Sequence, residues 1–279
     1  MEVTVLGLGT MGWRIAKNYA KAGMLKGVWN RTEEKSKLFS KEFGVPVVSL
    51  DKISSRFILL SLSNDDAVTS VVRKIDVKGK VIIDTSTISP RTSKSLGKEI
   101  SSMGGVMYDA PVTGSTGIEE RKATVMLGGP KEGVEEVISL LKVTANKVIY
   151  VGDNGSGLYL KLVNNLIAAS YMEALAEAFT LAERAGLDLE IVSSFLSEGS
   201  IISSPLSSMK SRMLKERNYI TQFRLSLMAK DLGIIDQECS SLGVANMISS
   251  ITAKLFASAS RSGLGDLDMA SIYELIRNL

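Results

Sequence analysis

A lysine and an asparagine stand four residues apart just after a glycine-rich turn. The turn is Gly155-Ser156-Gly157, and Lys161 and Asn165 follow it in a stretch whose apolar residues recur at helical spacing. Residues four apart lie on the same face of an α-helix, so the spacing predicts that an ammonium and an amide point in one direction. The chain contains no histidine, which excludes Ser-His-Asp and Cys-His catalysis and most zinc sites. Few residues besides Lys161 are left for acid–base chemistry, and we expect no metal site.

A second pattern, near the start of the chain, is typical of phosphate binding. The spacing Gly-x-Gly-x-x-Gly is met by Gly7, Leu8, Gly9, Thr10, Met11 and Gly12. The first glycine permits a tight turn, the second lets the backbone approach a pyrophosphate, and the third lets helix and strand pack closely. The run follows an apolar strand pattern and opens a helical one, where backbone N–H groups and the helix dipole favour an anion. It therefore predicts a dinucleotide site.

The residues that end the next strand indicate which dinucleotide is bound. An acidic residue about 20 positions after the glycines would bind the ribose hydroxyls of NAD. Here the strand pattern 25–29 is followed instead by Asn30, Arg31 and Thr32. Asn30 can bond a ribose oxygen, while Arg31 and Thr32 offer a guanidinium and a hydroxyl to a 2′-phosphate. The missing acid favours NADP over NAD.

Three further polar segments follow predicted strands. They contain Leu62 and Ser63, then Thr87, and then Thr113, Gly114 and Ser115. In a doubly wound sheet, ligands bind outside the carboxyl ends of the strands. We therefore expect these segments to line one cleft together with the start of the helix that carries Lys161.

The predicted secondary structure that must position these residues changes near residue 155, from alternating strands and helices to helices alone. Residues 1–154 alternate β-branched runs with helical patterns, which predicts a Rossmann-type α/β domain with a doubly wound parallel sheet. Residues 155–279 carry only helical patterns, which predicts an all-α second domain; we expect this domain to serve substrate binding and dimerisation. A helix over 158–185 spans about 40 Å at 1.5 Å per residue and would join the two. The serine-rich segment 197–211 is expected to be a lid or a solvated connection.

Composition excludes several other classes. Of 279 residues, 45% are hydrophobic and 23% are charged, which indicates a folded chain rather than a disordered one. The 33 basic and 30 acidic residues give a net charge of +3, too small for the footprint of a nucleic-acid binder. The single Cys239 excludes an intrachain disulfide. No apolar run approaches the roughly 20 residues that span a bilayer, and the first strand pattern begins at Glu2, so we expect a cytoplasmic protein without membrane partners.

Taken together, the motifs resemble the β-hydroxyacid dehydrogenase family, the group of 3-hydroxyisobutyrate dehydrogenase and the glyoxylate/succinic semialdehyde reductases. The resemblance covers essentially the whole chain and rests on GLGTMG, DTSTISP, DAPVTG, GSGLYLKLVNN and a KDL run at 230–232. It implies hydride transfer between NADP(H) and a small hydroxyacid or semialdehyde, with Lys161 as the general acid and base.

The resemblance also implies roles for other residues. Substrate binding falls to Thr113, Gly114, Ser115 and Asn165, with Phe223 and Asp231 closing the site, and Thr87 and Lys230 contact the cofactor. The chemistry suits this assignment, because hydride transfer to a carbonyl develops negative charge on oxygen that an ammonium can stabilise and protonate. A lysine does this near neutral pH only if its surroundings lower its pKa from about 10.4.

Other functions remain open at this point. An imine reductase shares the two-domain architecture but usually carries Asp or Tyr in place of the lysine, and a non-catalytic NADP-binding module would lose it. A 6-phosphogluconate dehydrogenase is set aside, because that family is much longer and has a histidine at the position of Asn164. The apolar stretch 247–256 is typical of dimer packing and equally of a core, and we expect a homodimer or homotetramer.

Overall fold

The computed structural model describes residues 1–114 and 117–279. Contacts within this part of the chain divide it into two compact units, Met1–Lys161 and Leu162–Leu279. The domain boundary that the sequence predicts between residues 154 and 155 stays a prediction.

The described residues of the first unit form an eight-stranded sheet. The strands are β1 (Val3–Leu6), β2 (Leu25–Trp29), β3 (Phe57–Leu60), β4 (Val81–Asp84), β5 (Val106–Asp109), β6 (Val112–Thr113), β7 (Ala123–Gly128) and β8 (Ala145–Gly152). Their order is β2-β1-β3-β4-β5-β7-β6, with β8 beside β7. The pairs among β1 to β5 are parallel, whereas β7 runs antiparallel to β5 and β6. The parallel core was predicted, but the reversal of β7 was not; β6 still runs in the direction of β5, and the chain reverses between β6 and β7.

Helices cover both faces of this sheet. They are α1 (Thr10–Lys21), α2 (Glu33–Phe43), α3 (Asp65–Val72), α4 (Pro90–Ser102) and α5 (Val134–Leu141). Alternate residues of a strand point to opposite faces, so Val3 and Val5 pack in one apolar core while Leu6 packs in the other. The doubly wound α/β fold expected from the sequence is confirmed.

The second unit is helical, as predicted. Its helices are α6 (Ser156–Arg184), which contains the point where the units divide, and then α7 (Leu189–Ser194), α8 (Pro205–Glu216), α9 (Leu225–Leu242), α10 (Met247–Ala259) and α11 (Ile272–Ile276). At 29 residues, α6 is about 44 Å long. The serine-rich segment 197–211 forms a helical turn and the start of α8, where Ser204 and Ser207 make a capping box. In the described part of the chain, no helix is both long and apolar enough to cross a membrane.

Candidate functional site

The glycine-rich turn lies between β1 and α1 and is built around positions that exclude a side chain. Gly7 has φ +99°, and a Cβ there would lie 2.2 Å from the carbonyl oxygen of Ser61; a Cβ on Gly12 would lie 1.9 Å from the carbonyl oxygen of Gly7. Gly9 is different, because it is exposed and a Cβ on it would meet nothing within 4 Å. Two glycines therefore close the turn, and the third leaves its backbone open to a ligand.

The first turn of α1 suits an anion. Its N-cap is Gly9, no side chain caps the helix, and no acidic residue stands in the first turn. Thr10 is exposed, while Leu8 is buried and Met11 packs against the core. The helix N-terminus thus presents backbone N–H groups and its positive dipole toward the open side of Gly9, as a pyrophosphate requires.

Asn30 joins this turn to the end of β2. Its Oδ1 accepts a hydrogen bond from the backbone N–H of Leu8 at 2.8 Å, and its Nδ2 donates to the carbonyl oxygen of Thr32 at 2.9 Å. These bonds fix the two loops to each other. The sequence predicted a ribose contact for Asn30, which stays a prediction; the loop-joining role is what sequence reasoning missed.

Arg31 and Thr32 lie beside it on the surface. Both are exposed, and within the described residues the guanidinium of Arg31 forms no hydrogen bond or ion pair. Thr32 is the N-cap of α2, and its hydroxyl makes no capping bond. A guanidinium, a hydroxyl and a helix N-terminus are thus together and able to bind a phosphate. Against this, Glu33 and Glu34 stand in the first turn of α2.

The segments that follow β3 and β4 are brought against the glycine turn. A Cβ on Gly7 would lie 2.8 Å from the side chain of Leu62, whose backbone N–H donates to Ser86 Oγ at 2.8 Å. Ser63 is exposed and Thr87 is half-buried. Three loops predicted to share one edge of the sheet are therefore adjacent, and Ser86 is a support that the sequence did not reveal.

The side chains of Asp65 and Ser89 connect the segment after β3 to the loop after β4. Asp65 Oδ1 accepts hydrogen bonds from the backbone N–H of Ser89 at 3.0 Å and from its hydroxyl at 2.7 Å. Burial acts to raise the pKa of Asp65, but the hydrogen bonds from Ser89 and Thr92 outweigh it, so the pKa lies below its ordinary value. Asp65 is therefore an ionised anchor for the segment that contains Thr87.

The loop after β5 carries the residues expected to bind substrate. Thr113 is half-buried in β6, where it pairs with Thr124 of β7. Gly114 follows with φ +83° and is exposed. Ser115, the third residue of this group, lies outside the described residues.

Lys161 lies in the second turn of α6 and is buried, with 5% of its surface exposed. The turn before it is compact, because a Cβ on Gly157 would lie 2.3 Å from the carbonyl oxygen of Met126. A lysine is almost never this deeply buried unless its ammonium has partners. Its burial separates Lys161 from the solvated surface lysines of the chain.

In the second unit, Asn165 is held by a charged network. Its Nδ2 donates to Asp231 Oδ2 at 2.7 Å, its Oδ1 accepts from Asn164 Nδ2 at 3.0 Å, and Lys230 Nζ lies 3.0 Å from Asp231 Oδ1. Asn165 and Asp231 are both buried. Three residues that the sequence named separately are therefore one cluster, in which Asp231 fixes the orientation of the Asn165 amide.

Phe223 is positioned by a different carboxylate. Its backbone N–H donates to Asp268 Oδ2 at 3.0 Å, and Asp268 Oδ1 lies 2.6 Å from Lys210 Nζ. Both side chains of this ion pair are buried. Sequence reasoning missed the pair, because 58 residues separate its members and no local pattern connects them.

Comparisons with known proteins agree with these observations. Residues 2–152 match the model described as NAD binding domain of 6-phosphogluconate dehydrogenase, and residues 155–276 match that described as NAD-binding of NADP-dependent 3-hydroxyisobutyrate dehydrogenase.

Three similar proteins span nearly the whole chain. Mitochondrial 3-hydroxyisobutyrate dehydrogenase of Mus musculus is 32% identical over 99% of this chain and 87% of its own. Glyoxylate/succinic semialdehyde reductase 1 of Arabidopsis thaliana is 29% identical over 99% of both. The structure of Mycobacterium tuberculosis 3-hydroxyisobutyrate dehydrogenase with L-serine superimposes with a TM-score of 0.88. It is 23% identical in sequence, and the match covers 99% of this chain and 100% of that one. The chain belongs to the β-hydroxyacid dehydrogenase family.

Proposed function

We propose that this protein is an NADPH-dependent reductase of small semialdehydes and 2-oxoacids such as succinic semialdehyde and glyoxylate, with Lys161 as general acid. The observation that carries the proposal is a buried lysine, in the second turn of α6, in a chain without histidine. The glycine-rich turn fits a dinucleotide, since the open face of Gly9 adjoins an uncapped helix N-terminus. The name of the Arabidopsis relative supports the substrate class.

The residues of the chain divide the work as follows. When bound, NADPH supplies the hydride that reaches the carbonyl carbon of the substrate. The ammonium of Lys161 donates a hydrogen bond to the carbonyl oxygen and then a proton, as negative charge develops there. In the oxidative direction the neutral amine accepts that proton. Binding of the substrate carboxylate falls to Asn165, whose amide Asp231 orients, and to Thr113, Gly114 and Ser115.

The experiment follows the absorbance of reduced nicotinamide with purified protein and glyoxylate or succinic semialdehyde. We expect turnover by the wild type and a loss of at least about 100-fold in Lys161→Ala, because general acid catalysis contributes about 10²- to 10⁴-fold. The Kd for NADPH, from its fluorescence, should stay within about two-fold. Lys122→Ala is the matched control, since Lys122 is exposed and pairs with Glu120.

Other outcomes separate the alternatives. Turnover of 3-hydroxyisobutyrate with NADP, but not of either carbonyl compound, would redirect the proposal to a dehydrogenase like the mouse relative. Turnover of cyclic imines alone would identify an imine reductase. Retained NADPH binding with no turnover of any of these would identify a non-catalytic binding module.

We also propose that NADP(H) is preferred over NAD(H) because of Arg31 and Thr32. Arg31→Ala should raise the Kd for NADPH about 10-fold or more, since charge-assisted hydrogen bonds are worth about 1.5–3 kcal/mol. The Kd for NADH should stay unchanged, because NADH lacks the 2′-phosphate. Lys26→Ala is the control, since Lys26 is an exposed cation of β2, the strand that Arg31 follows, and it pairs with Glu2. An equal loss of affinity for both cofactors would contradict the preference.

Finally, we propose that the protein is a homodimer or homotetramer. Met247, Ile248 and Ile251 are exposed together on α10, and Val163 and Ile167 are exposed on α6. Apolar side chains grouped in this way are typical of association surfaces. Sedimentation velocity on wild type and on Ile248→Lys tests this proposal, and a wild-type monomer at micromolar concentration would refute it. The cytoplasmic location stays a prediction, since the mouse relative is named as a mitochondrial protein.

A further inference from the structure

One buried carboxylate connects the loop after β5 to the start of the helix that carries Lys161. Asp109, the last residue of β5, is fully buried. Its Oδ1 accepts a hydrogen bond from the backbone N–H of Gly155 at 2.6 Å, and its Oδ2 accepts one from the N–H of Leu158 at 3.0 Å. The hydroxyl of Ser93 on α4 adds a third bond at 3.2 Å. Asp109 therefore accepts the backbone donors at the N-terminus of α6, where an N-cap residue would otherwise act.

The space around this carboxylate is closed by two glycines. A Cβ on Gly128 would lie 2.7 Å from Asp109 Oδ2, and a Cβ on Gly157 would lie 2.9 Å from the same oxygen. A side chain at either position would also meet backbone, because a Cβ on Gly128 would lie 2.8 Å from the nitrogen of Gly157 and a Cβ on Gly157 would lie 2.3 Å from the carbonyl oxygen of Met126. The Asp109 carboxylate thus lies where four elements meet, namely β5, β7, α4 and α6. The position of this carboxylate fixes the position of the first turn of α6.

The location of Asp109 in the chain gives this contact a functional meaning. Asp109 directly precedes the segment 110–114, to which Thr113 and Gly114 belong, and Leu158 lies three residues before Lys161. One side chain therefore sets both the origin of the proposed substrate loop and the start of the proposed catalytic helix. Burial raises the pKa of Asp109, and its three hydrogen bonds offset this only in part. Costly buried ionisable groups are concentrated at functional sites.

We propose that Asp109 is a positioning residue that sets the place of the Lys161 ammonium through the first turn of α6. The proposal rests on the proposed function of Lys161. A displacement of about 1 Å in a reacting group costs about 10²-fold in rate, so the position of this turn determines the rate of the proton-coupled hydride transfer. It does not determine cofactor affinity, because the glycine-rich turn and Arg31 belong to other elements.

The test is a single-turnover measurement of NADPH oxidation by succinic semialdehyde or glyoxylate, in which rate and amplitude are separate. Asp109→Asn replaces one accepting oxygen by a donor and leaves one backbone N–H without an acceptor. We expect its rate to fall about 10- to 100-fold at full amplitude, with the Kd for NADPH within two-fold of wild type. A role confined to folding would instead lower the amplitude or the melting temperature and leave the rate of the bound fraction unchanged.

The chain offers a matched control in Asn154. Its Nδ2 donates to the carbonyl oxygen of Met107 at 2.9 Å, so its side chain also joins β5 to the segment before α6, but this bond is to a carbonyl oxygen and involves neither backbone N–H that Asp109 accepts. Asn154→Ala should change the rate by less than about three-fold. Ser93→Ala removes the weakest of the three bonds and should lower the rate by about two- to five-fold; if Asp109→Asn fails to fold, the comparison of Ser93→Ala with Asn154→Ala decides.

The possible failures are distinguishable. If Lys161→Ala is inactive but Asp109→Asn and Ser93→Ala keep the rate of Asn154→Ala, the positioning role is refuted and the proposed function stands. If Lys161→Ala keeps wild-type activity, or the wild type turns over neither carbonyl compound, the proposed function fails and the positioning role fails with it.

Discussion

The ion pair between Lys210 and Asp268 is a strong determinant of stability in the helical unit. Lys210 Nζ lies 2.6 Å from Asp268 Oδ1, and the two side chains are 2% and 0% exposed. The carboxylate also accepts backbone hydrogen bonds from Gln222, Phe223 and Ala270, each at 3.0 Å. Lys210→Met keeps most of the side-chain volume but leaves Asp268 with three neutral donors and no cation.

The cost follows from the depth of burial. Breaking a buried ion pair by removing one partner costs about 3–5 kcal/mol, because the remaining charge is uncompensated. In a chain of this size, 1 kcal/mol corresponds to a change of about 2–4 °C in melting temperature. Lys210→Met should therefore lower the melting temperature by about 6–20 °C. Replacing both partners, as in Lys210→Met with Asp268→Asn, should recover part of this loss, since no unpaired charge remains.

Differential scanning calorimetry at neutral pH measures the effect, and α8 carries its own control. Lys215 pairs with Glu190 at 2.8 Å, but these side chains are 24% and 69% exposed. An exposed pair is worth at most about 1 kcal/mol, so Lys215→Met should lower the melting temperature by no more than about 4 °C. The reasoning is refuted if Lys210→Met and Lys215→Met shift the melting temperature equally.

Two further predictions concern the glycine-rich turn and acid stability. Gly12→Ala should abolish NADPH binding or folding, because its Cβ would lie 1.9 Å from the carbonyl oxygen of Gly7. A Cβ on Gly9 would meet nothing within 4 Å, so Gly9→Ala should keep the wild-type melting temperature and lose only affinity for NADPH. Thermal-shift measurements with and without NADPH test both variants. Arg277 holds the pKa of Glu183 below its ordinary value, so this pair adds stability above about pH 4.3 that is lost as pH falls further. Glu183→Gln should lower the melting temperature at pH 7, and in a calorimetric pH series its difference from wild type should shrink as pH falls below about 4.3 through the lowered pKa of Glu183; a difference independent of pH would contradict this.

The fold was predictable wherever one local pattern determined an element. The strand β1 and the helix α1 follow from an apolar run, a glycine fingerprint and a helical period that all agree. The antiparallel direction of β7 did not follow, because the chain reverses after the strand β6, which has only two residues. A strand this short leaves no periodic signal, and the direction of β7 is visible only in its pairing with β5 and β6.

The candidate site was predictable in its residue types and less so in its supports. Lys161, Asn165 and Asp231 stand in recognisable motifs, and the structure adds that Asn165 and Asp231 are hydrogen-bonded to each other. The position of Asn30 in the chain predicted a contact with the ribose of the cofactor. The structure adds that its Oδ1 accepts a hydrogen bond from the backbone N–H of Leu8 in the glycine-rich turn. Such long-range hydrogen bonds depend on the packing of distant elements and carry no signal in local sequence.

A common feature of the two units is that buried aspartates fix the residues proposed to act. Asp109 accepts backbone N–H groups of α6, Asp231 accepts the Asn165 amide, and Asp268 accepts the backbone N–H of Phe223. An unpaired buried carboxylate is strongly unfavourable, so each is stable only while its donors stay in place. The same penalty makes every alternative position of those donors costly. Burial of these carboxylates therefore gives positional precision to a lysine and an amide, in a chain that has no histidine to share the chemistry.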